Sequence, residues 1–248
     1  MGILWLFSLI AIVLTLLLVF RKKCSNPQKY DLWVIRGAAL FVWGWEIIKG
    51  AYMIRSDLYG GVGNYPAFML PFHICSMALY AYVVIGFHPG KLSKFITPFA
   101  YSTLFLMTMI ILTIPASSGI LGNIPNWRFV AENTLPFQSF LYHGTLVFVP
   151  LYMVMSGFYR PTIRDTGKAM ATLAATALFA YVVNKVLLTT DFMTLERGIG
   201  NPFAFLIEVH YLLYLLVLAT ISAAGTFLML LVSELLVKKN IEKSKTTG

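Results

Sequence analysis

Charged residues are scarce in this sequence, and so are long polar stretches. Only 12% of the 248 residues are charged, against about 25% in an average soluble domain, while 58% are hydrophobic. Apolar runs of roughly 18 or more residues recur along the chain, which is the length that a helix needs to cross a bilayer. The composition therefore excludes a soluble globular domain and predicts a polytopic membrane protein.

Cysteine and the familiar hydrolase motifs are scarce as well. The only cysteines, Cys24 and Cys75, are far apart, so neither a disulfide nor a zinc-type CxxC pair is expected. No G-x-S-x-G elbow is present, and the residue five positions after His73 is Ala78 rather than an aspartate. The conventional motifs of lipid hydrolases and acyltransferases therefore do not indicate a function for this sequence.

Seven apolar segments predict an all-α, seven-transmembrane-helix bundle. The segments cover residues 3–20, 33–54, 66–87, 95–116, 136–158, 168–189 and 203–233. The first segment lacks a preceding basic residue and a small-residue cleavage pattern, so we expect an uncleaved helix. One membrane domain over residues 1–237 and a basic cytoplasmic tail over 238–248 complete the predicted organisation.

Basic residues set the predicted orientation. With the N-terminus outside, only Arg55, Arg128 and Arg197 fall on outer loops, and most of the remaining basic residues fall on inner loops, as the positive-inside rule requires. The net charge of +9 therefore indicates membrane topology and no nucleic-acid partner. We expect a multi-pass protein of the cell membrane, N-out and C-in, whose tail meets anionic lipid at the cytoplasmic face.

Polar side chains inside the apolar segments are few. Such groups usually face the bundle interior and have partners. All but one of them are predicted in the outer half of the membrane, the exception being Arg36. The set is Arg36, Glu46, Lys49, His73, Cys75, His143, Asn184, Lys185, Glu208 and His210.

Helical spacing suggests which of these groups can meet. Glu46 and Lys49 are three residues apart and share a helix face. His73 and Cys75 would lie about 200° apart on an ideal helix, unless Pro71 distorts it. We therefore expect Cys75 to pair with a histidine of another helix, such as His143 or His210.

Each of these polar residues also has a purely structural interpretation. Glu46 and Lys49 can be a structural ion pair or orient a substrate, and Lys185 can extend its amine toward the membrane surface. Cys75 alone can be a small buried hydrophobic residue, and a single histidine can be an interhelical hydrogen-bond strut. Three histidines at one depth favour a functional cluster.

Residues 70–77, LPFHICSM, resemble the LPLHLC-type signature of the YwaF family of bacterial integral membrane proteins. Glu46, the His143 of FLYHG and the Asn184 of VVNK stand where that family has similar residues. The resemblance extends over residues 30–220 and implies kinship with a eukaryotic cysteine-dependent acyltransferase of ether phospholipids. It implies Cys75 as the nucleophile and His73 or His143 as the base.

Three functions remain open from the sequence. The first is a cofactor-free lipid acyltransferase or acyl hydrolase that uses Cys75, His73 and His143 on membrane lipids. The second is a zinc-dependent intramembrane hydrolase in which His73, His143 and His210 hold the metal. The third is a non-enzymatic binding protein or transporter. Predicted substrate-binding residues are Glu46, Lys49, Asn184, Lys185, Glu208 and His210.

Overall fold

Apolar segments with few helix breakers fold as helices, because in hydrocarbon each backbone group must be hydrogen-bonded within its own segment. A computed structural model describes residues 2–55, 67–113, 134–187, 190–198 and 202–246, and this part of the chain is helical with no strand. The helices are α1 Gly2–Lys22, α2 Pro27–Arg55, α3 Met77–Phe87, α4 Lys91–Phe99, α5 Phe105–Thr113, α6 Thr134–Met155, α7 Thr166–Leu187, α8 Phe205–Val209 and α9 Tyr211–Thr246.

The last two long helices have the length and composition of membrane spans. They are Ile163–Leu187 and Tyr211–Lys239, and the shorter Met77–Phe87 is also apolar. Large hydrophobic side chains of α9 are exposed, among them Leu212, Leu216 and Leu228. An exposed apolar surface of this extent matches lipid rather than water. Every predicted segment coincides with helix in part, while the number of crossings and their direction stay predictions.

The third predicted segment is not one continuous helix. A 3₁₀ turn at Ala67–Met69 is followed by irregular backbone, and α3 begins only at Met77. Pro71 lacks an amide hydrogen and restricts the residue before it, which explains an interruption at this point. Neither His73 nor Cys75 is in an α-helix, so the separation on an ideal helix does not apply, and the expected distortion at Pro71 is confirmed.

A second proline distorts the fourth predicted segment. Pro98 lies inside α4, and the chain then passes through a π-helical turn at Ala100–Leu104 before α5 begins. The Ser102 hydroxyl donates to the Pro98 carbonyl oxygen at 2.6 Å. π-Turns of this kind are common next to functional sites.

The seventh predicted segment contains a break and then a long helix. The short α8 ends at Val209, the next residue His210 has extended backbone with a φ of −166°, and α9 then runs from Tyr211 to Thr246. Residues 238–246 of the predicted basic tail are therefore helical.

A buried ion pair joins the first two helices to α6. Asp31 is 1% exposed and receives hydrogen bonds from Arg21 through Nε at 2.7 Å and Nη2 at 3.0 Å. The Tyr152 hydroxyl donates to the same carboxylate at 2.7 Å. A buried carboxylate with three donors is fully compensated for the loss of water.

Replacement of Asp31 by alanine should lower the stability of the helix bundle. Arg21 and the Tyr152 hydroxyl would lose their acceptor, which costs about 1–3 kcal/mol for partly buried groups. We expect a lower thermal midpoint in detergent for Asp31→Ala and a smaller decrease for Asp31→Asn, which retains an acceptor for Tyr152.

The matched control is Lys29→Ala, which removes an exposed charge one turn from the helix start. An unchanged midpoint in Asp31→Ala would contradict a stabilising role for this network.

Candidate functional site

The interrupted segment brings the Cys75 thiol to a histidine of another helix. The Cys75 thiol and the His143 imidazole of α6 are electrostatic neighbours, and Tyr142, the residue before His143, donates to the Cys75 carbonyl oxygen at 3.1 Å. Of the two histidines expected as partners for Cys75, the structure therefore brings His143 to it. A thiol next to an imidazole is the arrangement in which the ring can accept the thiol proton.

The His143 ring is held by its own helix. Its Nδ1 lies 2.7 Å from the Ser139 carbonyl oxygen and 3.2 Å from the Ser139 hydroxyl. A carbonyl oxygen can only accept, so Nδ1 carries the proton in this contact. The lone pair of the neutral ring is then on Nε2.

The backbone around Cys75 is fixed by hydrogen bonds from other helices. The Tyr142 hydroxyl of α6 donates to the Cys75 carbonyl oxygen at 3.1 Å. The Lys49 amine of α2 donates to the Met69 carbonyl oxygen at 3.1 Å. Irregular backbone at membrane depth is stable only where such partners satisfy it, so these contacts hold the thiol in place.

Cys75 also lies at the start of α3. Ser76 is the N-cap of this helix, and the first amides inside it point toward the residues before it. The amides of Met77, Ala78 and Leu79 donate to the carbonyl oxygens of residues 74, 75 and 76, so they order the backbone next to the thiol. An imidazolium at His143 would favour a thiolate at Cys75.

The predicted Glu46–Lys49 ion pair is present. The Lys49 amine lies 2.5 Å from a Glu46 carboxylate oxygen, and both side chains are largely buried. Because Lys49 also binds the Met69 carbonyl oxygen, the pair supports the entry to the interrupted segment. Neither residue lines the large cavity next to Cys75.

His73 and Cys75 both line an apolar cavity of about 780 Å³. This volume is within the range of about 300–1,000 Å³ usual for small-molecule sites. Its walls are mainly apolar side chains of α7 and α9, closed on one side by the loop after α7. The His73 ring packs edge-on against Phe192 of that loop, with ring centroids 5.0 Å apart.

Asn184 fixes the loop that covers this cavity. The residue is fully buried, and its Oδ1 accepts from the Phe192 amide at 2.8 Å and from the Thr190 hydroxyl at 3.0 Å. Its Nδ2 donates to the Phe192 carbonyl oxygen at 3.1 Å. Both polar atoms of the Asn184 side chain are thus hydrogen-bonded within the protein. Asn184 therefore positions the loop that packs against His73.

The remaining predicted substrate ligands lie at the edge of the site or outside it. Lys185 pairs with Glu196 of the covering loop at 3.1 Å and is 55% exposed. Glu208 and His210 are exposed and do not line the cavity. Within the described part of the chain, no three histidine, cysteine or carboxylate side chains form a cluster that could hold a metal ion, so the proposed zinc site of His73, His143 and His210 is not assembled.

Several site residues escaped sequence reasoning. Ser139 and Tyr142 lie four residues and one residue before His143 on α6. This spacing was the only feature of the sequence that could have indicated them as site residues. Met193, Thr194 and Leu195 line the cavity from the covering loop, which has no apolar periodicity. Such loop positions are determined by tertiary contacts that a sequence pattern does not contain.

Comparison with known proteins agrees with a membrane protein of this kind. A model of the TMEM164 family, a transmembrane protein family, matches residues 1–231, which is most of the chain. The chain belongs to the TMEM164 family. No curated protein and no solved structure matches it. Family membership thus supports a membrane location for this TMEM164-family chain, while the YwaF resemblance and the activity that it implies stay predictions.

Asn184→Ala should expose the Cys75 thiol. The change removes the acceptor of the Phe192 amide and the donor to its carbonyl oxygen, so the covering loop loses its buried hydrogen bonds to α7. In a Cys24→Ser background, Cys75 is the single thiol. We expect a bulky maleimide to modify this thiol severalfold faster than in the same background with Asn184 retained. The rate is measured by mass spectrometry of the intact protein.

Lys185→Ala is the matched control, because it removes only a half-exposed ion pair of the same loop, which is worth little. Equal rates in the two variants would show that Asn184 does not control access to the thiol.

Proposed function

We propose that this protein is a cysteine-dependent acyl-transfer enzyme of membrane lipids, with Cys75 as the nucleophile and His143 as the general base. The observation that carries the proposal is the contact between the Cys75 thiol and the His143 imidazole beside an apolar cavity of about 780 Å³. A structural cysteine needs neither an oriented base nor an open cavity. The resemblance of LPFHICSM to the YwaF signature supports the same chemistry.

The first half-reaction forms an acyl-enzyme. His143 Nε2 accepts the thiol proton, and the Cys75 sulfur attacks the carbonyl carbon of a lipid ester. The new C–S bond forms, and the bond between the carbonyl carbon and the ester oxygen breaks. The leaving alcohol takes the proton from His143, so that a thioester and a free lipid hydroxyl remain.

The second half-reaction returns the enzyme to its starting state. A hydroxyl group of an acceptor lipid gives its proton to His143 and attacks the thioester carbon. A new ester bond forms, the C–S bond breaks, and the proton returns to the sulfur. With water as the acceptor, the same steps release a fatty acid, so one site accounts for transfer and hydrolysis.

His73 has a different position from His143 and is assigned a different role. It precedes Cys75 by two residues and lines the same cavity wall, and its ring is steadied by Phe192. From this wall the imidazole can donate to the carbonyl oxygen on which negative charge develops. We assign to His73 the stabilisation of that oxygen and to His143 the proton transfers.

The test is capture of the acyl-enzyme. Purified protein in detergent is incubated with a phospholipid that carries an alkyne-labelled acyl chain, and label on the protein is read after click chemistry. We expect label on Cys75 that hydroxylamine removes, no label in Cys75→Ala, and a decrease of about a hundredfold in labelling rate in His143→Ala.

Cys24→Ser and His88→Ala are the matched controls, because each removes the same residue type outside the site, and both should retain labelling. Release of labelled fatty acid or formation of a new lipid then distinguishes hydrolysis from transfer. Absence of label on the wild-type protein, with lipid still bound, would favour a non-enzymatic lipid-binding protein instead.

A further inference from the structure

The large cavity is half open and runs along two antiparallel helices, and we call it the channel. Six lining positions on α7 recur at helical spacing from Met170 to Tyr181, and five on α9 recur from Tyr211 to Ser222. Tyr181 and Tyr211 are electrostatic neighbours at one end. Since the helices run in opposite directions, Met170 and Ser222 lie together at the other end.

The length of this channel follows from the helix rise. Eleven residues separate the first and last lining positions on each helix, which corresponds to about 16 Å at 1.5 Å per residue. Half of a bilayer hydrocarbon core is about 15 Å. The channel therefore has the depth of one leaflet and the length of one lipid chain within it.

The thiol lies nearer the tyrosine end of the channel. Phe72, three residues before Cys75, contacts Phe179 with ring centroids 5.4 Å apart, and Phe179 precedes Tyr181 by two residues, about 3 Å along the helix axis. From this level, α7 continues for nine residues, or about 13 Å, to Met170. An ester at Cys75 thus has an apolar passage on one side that is long enough for most of a fatty acyl chain.

Small and flexible side chains shape the interior of the channel. Ala174, Ala177 and Ala219 leave space along its length, and Met107 and Met170 line its far end with Ser222. The position of Met107 at that end agrees with the close approach of Leu106 to Gly225. A side chain larger than alanine at the middle of the channel would shorten the space available to a chain.

We propose that this channel holds the acyl chain that is transferred to Cys75, with the chain terminus at Met107, Met170 and Ser222, and that its depth selects acyl chains by length. The inference rests on the proposed function, because it takes Cys75 as the acylated atom. The occupant is one long-chain acyl group of a membrane lipid, and Ala174 is the residue whose size sets the available depth.

The test compares acyl-enzyme formation across saturated chains from octanoyl to stearoyl on the same lipid headgroup. Ala174→Phe should decrease labelling by palmitoyl relative to octanoyl about tenfold or more, in line with the sensitivity of hydrophobic pockets to added bulk. Ala171→Phe is the matched control, because Ala171 is exposed on the same helix and does not line the channel. It should retain the wild-type profile.

Met170→Ala tests the proposal in the opposite direction and serves also where Ala174→Phe fails to fold. It removes bulk at the far end, so it should raise labelling by stearoyl relative to palmitoyl severalfold. Labelled protein with the same length profile in wild type, Ala174→Phe and Met170→Ala would overturn the inference alone. Absence of label from every chain on wild-type protein would overturn the proposed function and this inference with it.

Discussion

The arrangement of this protein depends on the hydrogen bonding of one stretch of interrupted backbone in an apolar environment. A 3₁₀ turn that ends at Met69 and an α-helix that begins only at Met77 leave amide and carbonyl groups between them that lipid cannot satisfy. Lys49 and Tyr142 supply partners from α2 and α6, and Glu46 balances the Lys49 charge. The same side chains that make the interruption tolerable also place Cys75 against α6, where His143 meets it.

Two charged side chains elsewhere in the described helices are also compensated within the protein. Asp31 is surrounded by Arg21 and Tyr152, and Arg36 donates to the Gly86 carbonyl oxygen at the end of α3. These are structural uses of charge, and they keep polar atoms away from lipid. Cys75 and His73 differ from them because they open onto a cavity, which is why chemistry is assigned there.

The sequence predicted the fold well where hydrocarbon thickness imposes a length on apolar runs. Residues 136–158 and 168–189 agree closely with Thr134–Met155 and Thr166–Leu187. It predicted the Glu46–Lys49 pair from spacing within one helix, and it gave His143 as one of two partners for Cys75. Local geometry was sufficient for each of these.

The remaining features of the site could not be predicted from local sequence patterns. The separation of His73 and Cys75 by about 200° applied to an ideal helix, and the local pattern did not decide whether Pro71 would interrupt it. His210 was an equal candidate by depth, but the break before α9 leaves it exposed. Asn184 was taken as a ligand because it is polar within an apolar run, whereas its partners are backbone atoms eight residues later.

The loop after α7 has a further mechanical consequence. Met193 and Thr194 have positive φ angles of 58° and 55°, a conformation that costs about 1–3 kcal/mol for each non-glycine residue and persists only where other contacts enforce it. The enforcing contacts come from both sides of the channel, since Asn184 belongs to α7, while Tyr211 and Tyr214 of α9 bind the Leu195 and Thr194 carbonyl oxygens. The loop therefore acts as a strained clasp between the two helices, and any separation of α7 from α9 must either stretch it or release it.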